Sequence, residues 1–173
     1  QVGEPVTDQQ FVIVHNTLTA EDPGSTYPSA PLKLTPWEGT TAIELLPGGE
    51  VRVETRAGDW WGAGLEVDAD VGENLSRFKN GHMHFEIRGS SDVNFSFGFQ
   101  TGSFLRGDQV NNFASFGPGT DNLVGEEWRA VTVPISELDG GTDLSDVTNV
   151  VAFLSRAKAP DRILYLRNIY FTQ

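Results

Sequence analysis

GHMHFEIRGSSDVNFSFGFQ, residues Gly81–Gln100, alternates apolar and polar side chains twice over. Successive side chains of a β-strand point to opposite faces. Met83, Phe85 and Ile87 therefore share one side, with His82, His84, Glu86 and Arg88 on the other. After the Gly-Ser-Ser break, Val93, Phe95, Phe97 and Phe99 share a side against Asn94, Ser96, Gly98 and Gln100. Each run reads as a strand with one buried face and one wet face.

The rest of the chain is punctuated in the same way. FVIVHNTL (Phe11–Leu18) predicts a first strand, and GSTYPSAPLKLTP (Gly24–Pro36) reads as a long loop. TAIELLPGGEVRVETRAG predicts two strands around a Pro47–Gly49 turn, and WWGAGLEV a further strand. SFLRGDQVNNFASFGPGTDNLVGEE reads as a long excursion holding a strand and a loop. WRAVTVPI, NVVAFLSR and RILYLRNIYF read as strands, and SELDGGTDLSDV is the one short helical candidate. Helical periodicity over a full helix length appears nowhere, and 19 Gly and 9 Pro separate the apolar runs. The expected class is all-β: a two-sheet antiparallel β-sandwich of jelly-roll type with about eight to ten strands. Residues 1–173 read as a single domain, and the start at Gln1 without a Met suggests a piece excised from a longer protein.

Composition removes whole classes of function. With 24 acidic and 12 basic residues the net charge is −12, the wrong sign for nucleic acid or anionic membranes. There is no cysteine, so disulfides, thiolate metal sites and cysteine nucleophiles are excluded. No stretch approaches the roughly 20 apolar residues of a membrane helix. GxSxG and phosphate-cradle motifs are missing. Glycoside hydrolysis needs two carboxylates facing one cleft. Glu66 and Asp68 lie about 7 Å apart along one strand, a spacing that 24 acidic residues also produce by chance. His82 and His84 share a strand face as some metal ligands do, but His15 is far away and no further ligand spacing completes the set.

Aromatic patterning carries the strongest signal. A sugar ring has an apolar C–H face and a hydroxyl rim, which aromatic surface and a few placed polar groups can match. Leu65 and Val67 share parity with Trp61, which directs Trp60 to the opposite face beside Gly62, Gly64 and Glu66. An indole over a glycine-floored strand is a platform for a pyranose. Either tryptophan of the pair is a candidate, and Trp37, after Pro36 at a loop end, is a third. Asn94 and Gln100, His84, Glu86 and Arg88, and Arg156 are the polar candidates for the same floor. Trp128, opening a regular strand, reads as structural.

GDWWGAGLEV, GHMHFEIRG, EEWRAVTVPISEL, LSDVTNVVAFLSR and LYLRNIYF, in this order, resemble non-catalytic β-sandwich carbohydrate-binding modules attached to bacterial β-glucanases. The likeness covers roughly Thr41 to Phe171 and extends to family-eleven modules and to the C-terminal sandwich of marine family-three exo-glucanases. Its motifs here are Trp128–Pro134 and the closing pair Asn168-Ile169. The resemblance implies a secreted, periplasmic or cell-surface module, covalently linked to a glycoside hydrolase. It would bind a neutral β-glucan (laminarin-like β-1,3 or mixed-linkage) along a concave sheet and need no cofactor. It also implies a structural Ca²⁺ held partly by the acidic member of an Asp-Ile pair, where this chain has Asn168. Family-eleven faces are rich in tyrosine, whereas this chain has three, two of them, Tyr165 and Tyr170, in the last strand. The site residues are therefore those named from parity above. A small jelly-roll glycan hydrolase or lyase, and a purely structural sandwich inside a larger glycosidase, are the competing readings.

Overall fold

The alternating segments fold as strands whose apolar sides meet. The structure, a computed structural model, describes residues 3–14, 25–138 and 143–173. Among these residues there are twelve strands: β1 (Gln10–Val14), β2 (Ser25–Thr26), β3 (Leu32–Pro36), β4 (Thr41–Leu46), β5 (Glu50–Thr55), β6 (Trp61–Val67), β7 (His82–Gly89), β8 (Phe95–Thr101), β9 (Val110–Phe116), β10 (Arg129–Pro134), β11 (Val147–Ser155) and β12 (Ile163–Thr172). One sheet has seven strands, in the order β10-β7-β12-β1-β2, with β5 also pairing β12 and β4 pairing β5. The other has five, in the order β3-β6-β11-β8-β9. Apart from the short β1–β2 contact, which is parallel, the strand pairs are antiparallel.

This is the two-sheet antiparallel sandwich expected from the alternation, with more strands than its reading counted. β3 lies inside the segment read as loop. The prolines of that segment, Pro28, Pro31 and Pro36, suggested punctuation, but β3 is an edge strand, where a missing N–H is tolerated, and Leu32 and Leu34 pack against the core. β9 forms within the long excursion. Of the helical candidate, Ser136 and Glu137 belong to a single 3-10 turn, Ile135–Glu137, and residues 139–142 lie outside the described set. The first strand is seen at β1, while His15 to Leu18 lie outside it.

The core is an aromatic layer between the sheets. Phe85 from the seven-stranded sheet meets Phe97 of the five-stranded sheet at 4.4 Å between ring centroids. Phe97 meets Phe153 at 4.9 Å, edge to face, an orientation that aligns the positive rim of one ring with the negative face of the other. Trp61 completes the layer, with its ring 5.8 Å from Phe95 and 6.4 Å from Phe153. It is 1% exposed.

The closing strand shows how alternation survives a register error. In β12, Leu164 and Leu166 are buried, and so are Ile169 and Phe171, although the two pairs have opposite parity. Between them the pairing to β7 shifts register after Arg167, and Asn168 takes φ 52°. One extra residue flips every following side chain to the other face. Asparagine is among the few side chains that adopt positive φ readily. The Asn-Ile pair is thus the bulge that keeps both halves of β12 facing the core.

Replacing Trp61 with alanine removes the largest fully buried side chain and is expected to cost about 3–5 kcal/mol. Chemical denaturation of Trp61→Ala against wild type measures it; a loss below about 1 kcal/mol would show that this indole does not hold the core.

Candidate functional site

Both alternating segments of the opening stretch bury their apolar sides, but in different sheets. β7 belongs to the seven-stranded sheet and β8 to the five-stranded one, so the link between them crosses the edge of the sandwich. Gly89 makes that exit possible, with φ 147° and a position where a Cβ would lie 2.2 Å from the Ile163 carbonyl oxygen. The polar sides consequently look away from each other. His84, Glu86 and Arg88 do not share a floor with Asn94 and Gln100, as the sequence reading expected; they line the opposite surface of the molecule.

On that surface the three are engaged with one another's neighbours. The His84 ring nitrogens lie 3.1 Å from Thr132 Oγ1 and 2.7 Å from Thr172 Oγ1, and the ring stacks on Tyr170 at 4.5 Å. Glu86 accepts hydrogen bonds from the Arg167 guanidinium at 3.1 and 3.3 Å and from the Asn168 amide. Arg88 sits over Tyr165 at 4.2 Å and Trp128 at 5.1 Å, and Arg167 covers Trp128 at 4.0 Å, short enough for cation–π attraction. Trp128, which the sequence reading took as structural, is half-buried between these two guanidinium groups.

Calcium at the closing pair fits poorly. Asn168 gives its amide to Glu86, whose carboxylate also holds Arg167. Among the described residues, no group of three or more His, Cys, Asp or Glu is placed to hold a metal ion. His82 and His84 stand with ring centroids 6.0 Å apart, and His15 lies outside the described residues. The hydrolytic candidates separate too. Glu66 accepts from Thr35 Oγ1 at 3.2 Å, Asp68 lies exposed beyond the end of β6, and Glu86 is on the far sheet.

The outer face of the five-stranded sheet is built differently. Strand register places Lys33, Glu66, Asn149, Gln100 and Asn111 in one line across all five strands. Asn149 Nδ2 donates to Gln100 Oε1 at 3.0 Å, and Gln100 Nε2 donates to Asn111 Oδ1 at 2.7 Å. Beside this amide line runs a line of small residues, Thr35, Gly64, Ala152 and Gly98. Two irregularities in the β11 register bring Asn149 to this face, which strict alternation would not have placed there.

The glycines of β6 are not a bare floor; each makes room for a side chain. A Cβ at Gly62 would lie 2.5 Å from Trp37 Cε3, and one at Gly64 would lie 2.5 Å from Asn149 Oδ1. The Trp37 turn is tied down on Gly62. Thr40 Oγ1 donates to the Trp37 carbonyl at 2.7 Å and accepts from the Gly62 N–H at 2.9 Å, and Thr41 Oγ1 donates to the Gly62 carbonyl at 3.1 Å. The indole is therefore held before any ligand arrives.

A groove of about 590 Å³ lies on this face. Trp37, Trp60, Glu66, Gln100 and Asn149 line it, together with the β8–β9 loop. Trp60 is half-buried and borders the groove, whereas its neighbour Trp61 is in the core and unavailable to a surface ligand, because strand parity gives adjacent residues opposite faces. Asn94 and Arg156 are on the same face of the sheet but line a separate hollow of about 450 Å³. Sequence reasoning missed Asn149, because its parity is reset by the β11 irregularities, and Phe104 and Leu105, an apolar pair in an otherwise polar loop. The groove's chemistry, indole surface beside amides and a carboxylate, matches a ligand with one apolar face and a hydroxyl rim.

Comparisons with known proteins bear on this geometry. A family model described as carbohydrate binding domain 30 matches residues 6–173. No curated protein matches the chain. A crystal structure of a family 30 carbohydrate-binding module superimposes with a TM-score of 0.61 at 20% identity, covering 81% of this chain and 91% of that one. The family 30 module of a cellulosomal cellulase of Clostridium thermocellum gives 0.62 at 19% identity, over 100% and 96%. The family 11 module from Clostridium thermocellum, solved in complex with a β-1,3-1,4-mixed-linked tetrasaccharide, gives 0.62 at 13% identity, over 96% and 97%. At these identities the structural likenesses report a shared sandwich fold.

His84 yields a pH prediction. Burial, and secondarily the charge of His82, lower its pKa from the ordinary 6.5. The unfolded chain then binds the proton more tightly than the folded one. The stability held by neutral His84 is present above the ordinary histidine value and is lost progressively as pH falls below it towards the lowered folded value. Denaturation midpoints are expected to fall between about pH 7.5 and pH 5.5 and to fall less steeply in His84→Gln. Identical slopes in the two proteins would contradict this.

Proposed function

The chain belongs to carbohydrate binding domain family 30, and we propose that its ligand is a neutral β-glucan, either β-1,3 and laminarin-like or mixed-linkage β-1,3/1,4. It is a non-catalytic carbohydrate-binding module. The observation that carries the proposed ligand is one groove holding a pinned indole, Trp37, a second indole, Trp60, and a line of amides. In this reading the indoles meet the C–H faces of the sugar rings, and Glu66, Gln100 and Asn149 meet hydroxyls.

Charge favours a neutral chain. Glu38, Glu66 and Asp70 line the groove of a protein with net charge −12, so a uronic or sulfated glycan would meet repulsion. The family 11 module of similar fold was solved with a mixed-linkage tetrasaccharide, which supports the choice of linkage. We further propose that the module is covalently joined to a glycoside hydrolase and works outside the cytoplasm, in a secreted, periplasmic or cell-surface protein. The family 30 module of similar fold from a cellulosomal cellulase supports that reading.

Affinity electrophoresis in gels containing lichenan or laminarin tests the ligand. Retardation is expected in one or both, and none in pectin or alginate. Trp37→Ala and Trp60→Ala are each expected to weaken binding by roughly tenfold or more at an unchanged melting temperature. Gly62→Ala, which pushes the Trp37 ring off its seat, is expected to behave like Trp37→Ala. Wild-type protein that migrates freely in every neutral glucan would overturn the proposed ligand.

A further inference from the structure

The β8–β9 loop holds two of the most exposed large apolar side chains among the described residues, Phe104 at 81% and Leu105 at 94%. Isolated apolar side chains on a surface need no explanation. These two are adjacent, and the loop that carries them is closed by its own hydrogen bonds. Ser103 N donates to Asp108 Oδ1 at 2.7 Å, Asp108 N to the Ser103 carbonyl at 3.2 Å, and Gly107 N to the Phe104 carbonyl at 3.1 Å. Arg106 bridges Asp108 at 3.3 Å and also pairs with Asp146 at the start of β11. Gly102 sits at φ 72°, where a Cβ would lie 2.3 Å from the Asp108 carbonyl oxygen. The loop is a built support presenting an apolar pair to water.

Its position gives the pair a use. The loop joins β8 to β9 at one lateral edge of the five-stranded sheet, and Trp37 and Trp60 flank β3 and β6 at the other edge. Both sets border the same groove. Between the two sets lie at least two strand spacings, crossed by the amide line, and an offset along the strands: Thr101, where the loop begins, is level with Val147 near the Val67 end of β6, whereas Trp37 lies against Gly62 near its other end, about 17 Å away along the strand. We propose that Phe104 and Leu105 are a second apolar anchor for the glucan, taking a sugar ring several units along the chain from the one on the indoles. The inference rests on the β-glucan reading of this groove. It adds a length requirement: a disaccharide reaches one anchor, and a longer chain crossing the strands reaches both. Affinity then rises with chain length, because the second contact adds apolar burial without a second loss of translational freedom.

Calorimetric titration of the full chain with two series of oligosaccharides, β-1,3 and mixed-linkage β-1,3-1,4, from disaccharide to hexasaccharide, tests this with wild type, F104S/L105S and Trp37→Ala. Wild type is expected to bind the hexasaccharide far more tightly than the disaccharide. F104S/L105S is expected to match wild type on the disaccharide and to lose roughly tenfold or more on the hexasaccharide, as losing the apolar burial of both side chains implies. Its melting temperature should not change, since both side chains already face water. Trp37→Ala is expected to lose affinity at every length. An F104S/L105S variant that equals wild type at all lengths overturns the second anchor and leaves the groove reading intact. A uniform loss at all lengths with a lowered melting temperature also overturns it, by making the pair structural. A wild type that binds none of the oligosaccharides overturns the groove reading and the anchor with it.

Discussion

The aromatic layer shared by the two sheets governs everything else in this molecule. Trp61, Phe95, Phe97, Phe116 and Phe153 from one sheet, with Phe85 from the other, form a contiguous set of ring contacts. Every strand contributing to that layer must turn its apolar side inward, and alternation then determines which side chains remain outside. The functional face is thus a consequence of core packing: residues such as Gln100, Glu66 and Gly64 turn to the outer side of the sheet because Phe99, Leu65 and their neighbours are in the core. Pairing within the sheet brings these outward residues from five strands into register lines, and the amide line and the glycine line beside it result.

The two outer faces then diverge in character. On the seven-stranded sheet the outward residues satisfy one another: His84 with two threonines and Tyr170, Glu86 with Arg167 and Asn168, Arg88 with Trp128 and Tyr165. A smaller hollow of about 250 Å³ remains there, lined by His84, Glu86, Thr132, Asn168 and Tyr170. On the five-stranded sheet the indoles border open space, and the loop apolar pair projects into water. A protein that leaves indole and phenyl surface wet while pinning it with hydrogen bonds has its ordering cost met in the folded state, which is the condition for weak carbohydrate contacts to yield net affinity.

Membership of a non-catalytic family is consistent with how the acidic residues are distributed. Of the carboxylates weighed for hydrolysis, Glu66 lines the groove and Glu86 is on the opposite surface. Glu66 is instead part of the polar line, bonded to Thr35, in a position suited to a hydroxyl. The closing Asn-Ile pair has a comparable explanation. Its asparagine serves a bulge at positive φ, where the amide reaches Glu86.

Sequence alone determined the all-β class, the burial of the Phe-rich strand faces, the placing of Trp60 and Trp61 on opposite faces of one strand, and the exclusion of cationic-surface functions. These follow from period-two alternation and from charge, both of which are local properties of the chain. It also carried the likeness to β-sandwich carbohydrate-binding modules. Tertiary structure alone decided which polar faces share a surface. Adjacent strands β7 and β8 enter different sheets, so residues close in sequence ended on opposite sides of the molecule, while Trp37 and Gly62, distant in sequence, came into contact. It also decided that the β6 glycines are seats for Trp37 and Asn149 rather than open floor, and that Phe104 and Leu105 border the groove. Parity says which side of a strand a residue occupies; which sheet the strand joins depends on long-range pairing, and that information lies in the folded chain as a whole.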